Sequence, residues 1–398
     1  MTASPDDAGP SPDVLDIAAT LIGFDTTSRN SNLGLIEWTR DRLRAQGAHC
    51  RLSHDAERRK ANLFATLGEP GASGGLVLSG HTDVVPVDGQ DWHTDPFDAV
   101  VRDGRLYARG ACDMKGFIAC ALALVPALLQ RGDAPPLHLA LSYDEEVGCL
   151  GVREMLADLA EVGIRPAACL VGEPTGMRPV IGHKGRRALR CCVTGREAHS
   201  SLPTHGVNAI EYAGRVAAEV QRLARAEAAL NAHGAGYDVP YSTLQVGTIH
   251  GGLAANTVPR DCELTVELRY LPGPDELAPL DRLLQFTQDT LVPEMSALHR
   301  EASIEWTVLN DTPGLDLPEQ HPLLRQANAL LGQQVPGRVA YNTEAGLFQR
   351  AGIPTVLCGP GDIAQAHRPD EYVALPQLAA CERFLMAFAG GYRGLPPR

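Results

Sequence analysis

At 398 residues the chain exceeds the roughly 250–300 residues at which one hydrophobic core stops growing, so two domains are expected. An apolar content of 44% with 21% charged residues describes a globular chain and excludes disorder over most of the length. A net charge of −13 and a pI near 5.5 set aside nucleic acid and anionic membranes as partners, and suit an enzyme of small metabolites.

Residues 1–12, MTASPDDAGPSP, read as a flexible tail. They lack the basic and apolar regions of a signal peptide, and no stretch approaches the ~18 apolar residues of a membrane span. A cytoplasmic location follows as an expectation. The ten cysteines sit mostly in apolar runs, which predicts reduced, buried thiols rather than a disulfide framework. Only three lysines occur, Lys60, Lys115 and Lys184, in a chain rich in arginine. A lysine kept against that bias marks a place where the two cations are not interchangeable.

Four apolar runs then recur along the chain, each followed by a chemically capable residue. GLVLSG (75–80) leads into His81 and Asp83, and LHLALSY (137–143) into Asp144, Glu145 and Glu146. AACLVG (167–172) leads into Glu173, and IPTVLCGPG (353–361) is followed by His367. Short apolar runs bounded by Gly and Pro predict buried parallel strands, and open parallel sheets bind ligands beyond their carboxyl ends. GFIACALALVPALLQRG (116–132) predicts a buried helix between the first two runs.

The stretch 183–293 reads differently. RALRCCVTG (187–195), STLQVGTIHGG (242–252) and DCELTVELRY (261–270) predict strands, and 206–230 and 274–291 predict helices, with Pro274 near the start of the second. This order predicts a small α+β layer inserted into the parallel-sheet domain. The expected organisation is a tail (1–12), a catalytic α/β domain (13–182 and 294–398) with a mostly parallel sheet, and an inserted domain (183–293).

The chemistry converges on two histidines and several carboxylates. In GHTDVVP (80–86), His81 can ligate a borderline metal and Asp83 can accept its other ring N–H. In RGACDMKG (109–116), Asp113 lies in a tight turn before a helix, and Cys112 reads as a bystander because adjacent extended residues point to opposite sides. In YDEEVG (143–148), alternation lets one glutamate bind metal while its neighbour leans over the metal-bound water; residue order leaves open which does which. Glu173 of GEP and His367 of QAHRPDEY complete a set sufficient for two ions sharing Asp113. Nitrogen and carboxylate donors suit Zn²⁺, with Co²⁺ or Mn²⁺ as substitutes. Ions ~3.5–4 Å apart can hold a bridging water, lower its pKa towards ~7 and polarise a carbonyl.

These motifs, with VGEPTG, AHSSLPTHGVNAIE, GGLAANTVP and GPGDIAQAHRPDEY, resemble the di-zinc metallohydrolase family of acetylornithine deacetylases, succinyl-diaminopimelate desuccinylases, aminoacylases and carboxypeptidase G. The resemblance covers roughly residues 13–390. It implies that the inserted domain is a ferredoxin-like lid through which a homodimer forms; the charge and the lack of a long apolar run lead to the expectation of no nucleic-acid or membrane partner. It assigns Glu145 as base and Glu146 as ligand, Asp113 as the bridging carboxylate, His81 with Glu173 on one metal, and Glu146 with His367 on the other. It makes Asp83 the carboxylate that orients His81. In the lid it implies substrate contacts from His199, Asn256 and Arg269. Read locally, Asn256 fixes a turn equally well, and Arg269 pairs equally well with Glu267.

Within that family GEPTGMRPVIGHKG, YDVPYSTLQVGTIHGG, YNTEAGLF and AHRPDEY look most like the acetylornithine deacetylases. The implied reaction is removal of the acetyl group from N²-acetyl-L-ornithine in arginine biosynthesis. A desuccinylase or broad aminoacylase shares the metal chemistry, and a non-catalytic binding relative would have lost a ligand or the base. Glu344 is a candidate reader of the substrate's side-chain ammonium, whereas Lys115 and Lys184 read as salt-bridging or carbonyl-capping residues.

Overall fold

The computed structural model describes residues 9–130, 135–230 and 234–395, and resolves them into two compact units. One comprises residues up to Gly182 with Leu315–Arg338 and Thr343 onward; the other comprises His183–Gly314 and Val339–Asn342. Residues 1–8 of the expected tail and the end of the 116–132 helix lie outside the described residues.

Among the described residues the first unit is built on a nine-stranded sheet. Its path runs His49–His54, Ala61–Leu67, Leu137–Ser142, Leu76–His81, Ala168–Val171, Thr355–Leu357, Val180–His183 and Leu315–Asp316, with Gly337–Val339 beside Val180–His183. The four strands from Leu137–Ser142 to Thr355–Leu357 are mutually parallel, and they are the four apolar runs singled out above. Leu76–His81, Leu137–Ser142 and Ala168–Val171 are buried at every residue, as continuous apolar strands under helices must be. Leu33–Ala45 and Leu150–Glu161 pack on Ala61–Leu67, while Lys115–Ala123 packs on Leu76–His81 and is itself covered by Pro12–Ile22 and Leu375–Gly391.

The helix expected over 116–132 is two pieces, Lys115–Ala123 and Val125–Leu128, the second carrying Pro126 in its first turn. Proline lacks the N–H that would continue the ladder, so the helix breaks there.

The second unit is a four-stranded antiparallel sheet in the order Thr243–Gly251, Asp261–Tyr270, Gly185–Thr194, Ser303–Thr312. Numbered along the chain this is 2-3-1-4, the ferredoxin-like arrangement. Asp261–Tyr270 alternates between buried and more exposed residues, as its apolar–polar pattern requires. Helix Ala209–Ala229 packs on this sheet and begins at Asn208, whose side chain accepts the amides of Ile210 and Glu211. The helix expected to stop at 291 continues: Ala278–Phe286 passes through a π-helical turn, Thr287–Leu291, into Val292–Leu298. That turn re-spaces the hydrogen bonds just before Pro293. The crossing expected near 293 therefore falls inside a helical run, and the fourth strand, Ser303–Thr312, belongs to this unit.

Candidate metal centre

The acidic and imidazole groups named for the metal chemistry all lie in the first unit: His81, Asp83, Glu145, Glu146 and Glu173 at or just beyond the ends of three of the parallel strands, Asp113 in the turn before helix Lys115–Ala123, and His367 in the segment that follows Thr355–Leu357. His81 is the last residue of its strand and is 1% exposed. Its Nδ1 lies 2.9 Å from the backbone carbonyl of Asp83, which makes Nδ1 the protonated nitrogen, while Nε2 points at Asp113 Oδ1, 3.0 Å away. A neutral imidazole would thus set a lone pair against a carboxylate oxygen. That geometry calls for a proton or a metal cation between them, and the nitrogen–carboxylate set fits a divalent ion.

Asp113 links the two imidazoles. Its Oδ1 faces His81, and its Oδ2 lies 3.4 Å from His367 Nε2. That same Nε2 is 3.1 Å from Glu146 Oε2. His81, Asp113 and Glu146 offer donor atoms all within 4.8 Å of one another, a spacing that could hold a metal ion. Glu173 is buried beyond strand Ala168–Val171 but falls outside that group of three. Gly172 before it is required by space, because a Cβ there would lie 2.0 Å from the Phe117 ring.

Charge is arranged accordingly. Burial, reinforced by Asp113 and Glu145, drives Glu173 well above the usual carboxylate range. Burial also raises Glu145, to about 8, with Glu146, Asp83 and Asp113 adding to it and His81 opposing. Hydrogen bonds that its ring donates to Asp113 and Glu146 lift His367 to about 10, burial opposing. A partly exposed carboxyl crowded by other carboxylates and titrating near neutrality is suited to proton transfer. The Cys149 thiol donates to Glu145 Oε1 at 3.3 Å and helps to fix it.

Asp83 faces His81 and also supports the turn beyond it. Its carbonyl, not its carboxylate, is the close partner of His81; the carboxylate is 3.6 Å from Nδ1. The carboxylate instead accepts the amides of Glu145 (3.0 Å) and Glu146 (3.3 Å) and the Ser28 hydroxyl (2.7 Å). It therefore sets the turn that carries both glutamates.

Sequence reasoning missed Glu371 and Arg109, although both stand inside motifs it quoted. Glu371 Oε1 accepts the amides of Cys112 and Asp113 at 2.8 and 3.0 Å, and its Oε2 meets Arg109 Nη1 at 2.6 Å. Both side chains are 1% exposed, so this buried ion pair fixes the Asp113 turn. The Cys112 thiol, pushed up by burial, donates to the Asp362 carbonyl. Glu344 does not reach open space. It is fully buried and accepts from Ser79 and Ser142, each at 2.6 Å, beneath the strand ends. Lys115 and Lys184 cap the carbonyls of Phe24 and Tyr241.

In the second unit His199 and Asn256 lie side by side. His199 pairs with Thr257, Asn256 O accepts Ser200 N at 3.0 Å, and both side chains are exposed. Arg269 sits near the far end of strand Asp261–Tyr270, bonded to Glu267 and to Asn342, each at 3.1 Å.

Residues 77–390 match the model of peptidase family M20/M25/M40. The chain belongs to this family. Acetylornithine deacetylase of Myxococcus xanthus is 38% identical over 381 residues, covering 93% of this chain and 96% of that one. Acetylornithine deacetylase of Edwardsiella ictaluri is 37% identical over 317 residues, covering 80% and 79%. Among solved structures, an M20 family metallo-carboxypeptidase from Sulfolobus solfataricus matches with a TM-score of 0.74 at 16% identity, covering 96% of this chain and 99% of that one. A dinuclear metal-binding M20 peptidase of Bacillus subtilis matches with a TM-score of 0.65 at 13% identity, covering 95% and 96%. The chain is accordingly an enzyme, a hydrolase with the mixed α/β fold of this family and a site that could hold metal. No helix among its described residues is long and apolar enough to cross a membrane.

Proposed function

We propose that this hydrolase removes the acetyl group from N²-acetyl-L-ornithine, giving L-ornithine and acetate. The observation that carries the reading is the agreement of the two deacetylase relatives over most of the chain with a strand-end cluster of imidazoles and carboxylates.

His81, Asp113 and Glu173 would hold one divalent ion, and Glu146 and His367 a second that shares Asp113; the donor set favours Zn²⁺, with Co²⁺ as substitute. When bound, such ions supply Lewis-acid polarisation of the acetyl carbonyl and acidification of water. Glu145 takes a proton from the water that adds to the acetyl carbonyl carbon. It then delivers that proton to the amide nitrogen as the C–N bond breaks, so acetate leaves and the α-amine is freed. Asp83 holds Glu145 and Glu146 in register by their backbone amides. In the second unit, His199 is suited to the developing oxyanion in a partner subunit's active site, and Asn256 and Arg269 to substrate contact, the arginine to the α-carboxylate after exchanging its bond with Glu267. That unit serves as lid and homodimer surface, and the enzyme works in the cytoplasm in arginine biosynthesis.

The test is release of ornithine from acetylornithine, read as free amine, alongside metal content. About two zinc ions per chain with robust turnover support the proposal. Turnover confined to succinyl-diaminopimelate or acetylmethionine overturns the substrate and leaves the metal chemistry standing.

A further inference from the structure

Lys60 has no part in the chemistry described so far, yet all three of its N–H donors end beside the turn that carries Glu145 and Glu146. Its ammonium meets Asp144 Oδ1 at 2.5 Å and Oδ2 at 2.7 Å, and donates as well to the carbonyl of Ser28. Both ionic side chains are mostly buried, 15% and 12% exposed. Asp144 holds a left-handed backbone, φ 53°, a conformation uncommon outside glycine. It is the first residue of the turn, and Leu150 N returns to its carbonyl at 3.0 Å.

From there the bonds close on themselves. Glu145 N donates to Asp83 Oδ1, and Asp83 Oδ2 accepts the Ser28 hydroxyl. The Ser28 carbonyl in turn accepts from Lys60, which grips Asp144, the residue before Glu145. Ser28 is tied to the next strand end as well, since its amide donates to the Val84 carbonyl at 3.1 Å. Lysine suits this position because an ammonium is a compact charge with three donors, here matched to three oxygens; a planar guanidinium addresses a carboxylate in its own plane.

We infer that Lys60, with Asp144 and Ser28, is a positioning device for the reaction: a closed hydrogen-bonded ring that holds Glu145 and Glu146 against the strand end bearing His81. The inference rests on the roles proposed for those two glutamates. Lys60 acts through them and touches no reacting atom.

Lys60→Met keeps the aliphatic stem and removes the ammonium, and Asp144→Asn removes its partner's charge. Each is expected to lower kcat by about 10²-fold, the cost of a misplacement on the order of an ångström. KM should stay within about threefold, because the substrate's own contacts are untouched. The double variant should be no slower than either single, since both break the same ring. The visible spectrum of the Co²⁺-loaded protein should change in all three, as Glu146 moves. The metal-free double variant, which leaves neither charge unpaired, should keep its Tm within about 5 °C of the parent. Ser28→Ala interrupts the ring at another point and should lower kcat about tenfold, which keeps the test open if Lys60→Met does not fold. Unchanged kcat in Lys60→Met, losses that add in the double variant, or an unaltered Co²⁺ spectrum overturns the inference. A parent enzyme inactive on every N-acyl amino acid overturns the proposed function instead, and the Co²⁺ spectra still decide the ring.

Discussion

The two units use strands in opposite ways. In the first, four parallel strands run buried between helices, and three of them lead directly into His81, into Glu145 and Glu146, and into Glu173. Because parallel neighbours end on the same side, residues as far apart as His81 and His367 converge without any local motif joining them. In the second, the antiparallel strands alternate direction and keep one face half-exposed, so candidate residues scatter: His199 and Asn256 at one end, Arg269 towards the other. Parallel topology concentrates chemistry, whereas the antiparallel layer offers a surface.

That contrast can be broken by experiment. If the strand ends are the reaction centre, Glu145→Gln should lower kcat by about 10²–10⁴-fold while metal content stays at the parent level. Retained activity would remove the proton-transfer role from this residue. Glu371→Gln should act through structure, because it strands the buried Arg109 guanidinium; a loss of about 3–5 kcal/mol in unfolding free energy is expected from denaturant titration. A change in the second unit should leave the centre alone. Asn208→Ala removes the cap of helix Ala209–Ala229 and should cost about 1 kcal/mol without altering bound metal, and metal loss on that substitution would contradict the division of labour.

Two smaller effects sharpen the electrostatics. In chelated protein His367 is lifted from 6.5 to about 10 by Asp113 and Glu146. A folded value above the unfolded one stabilises fully below pH 6.5, and that contribution is lost as pH rises through about 10. The Tm of chelated protein should therefore fall across this window, and His367→Gln should flatten the slope; a Tm that rises there contradicts the sign. Glu344→Gln should leave the preference between cationic and neutral side chains unchanged, since its carboxyl is spent on Ser79 and Ser142 beneath the sheet.

How much of this was legible follows from how each feature is encoded. Apolar runs ending in His81, Glu145, Glu173 and the segment before His367 are local patterns, so strands and candidate ligands could be read together. The antiparallel strand Asp261–Tyr270 was equally plain, because alternation is local too. Ser303–Thr312 was missed, since SIEWTVLNDT follows a helix that runs through Pro293 only by way of a π turn. The support of the centre was the least legible. Glu371 on the Asp113 turn and Ser28 on Asp83 are contacts across 258 and 55 residues, which no local pattern encodes. One faint signal was present in the scarcity of lysine: Lys60, Lys115 and Lys184 each donate to a backbone carbonyl, at Ser28, Phe24 and Tyr241. A compact single-atom contact of that kind is one an arginine fork serves poorly.

The claim that this centre is a deacetylase of acetylornithine is tested most directly by competition. Acetylornithine, succinyl-diaminopimelate and acetylmethionine, equimolar in one reaction, are followed by mass spectrometry to give the ratios of kcat/KM. Acetylornithine is expected to be consumed first, with ornithine and acetate appearing in equal amounts. Consumption of either competitor while acetylornithine remains intact would contradict it.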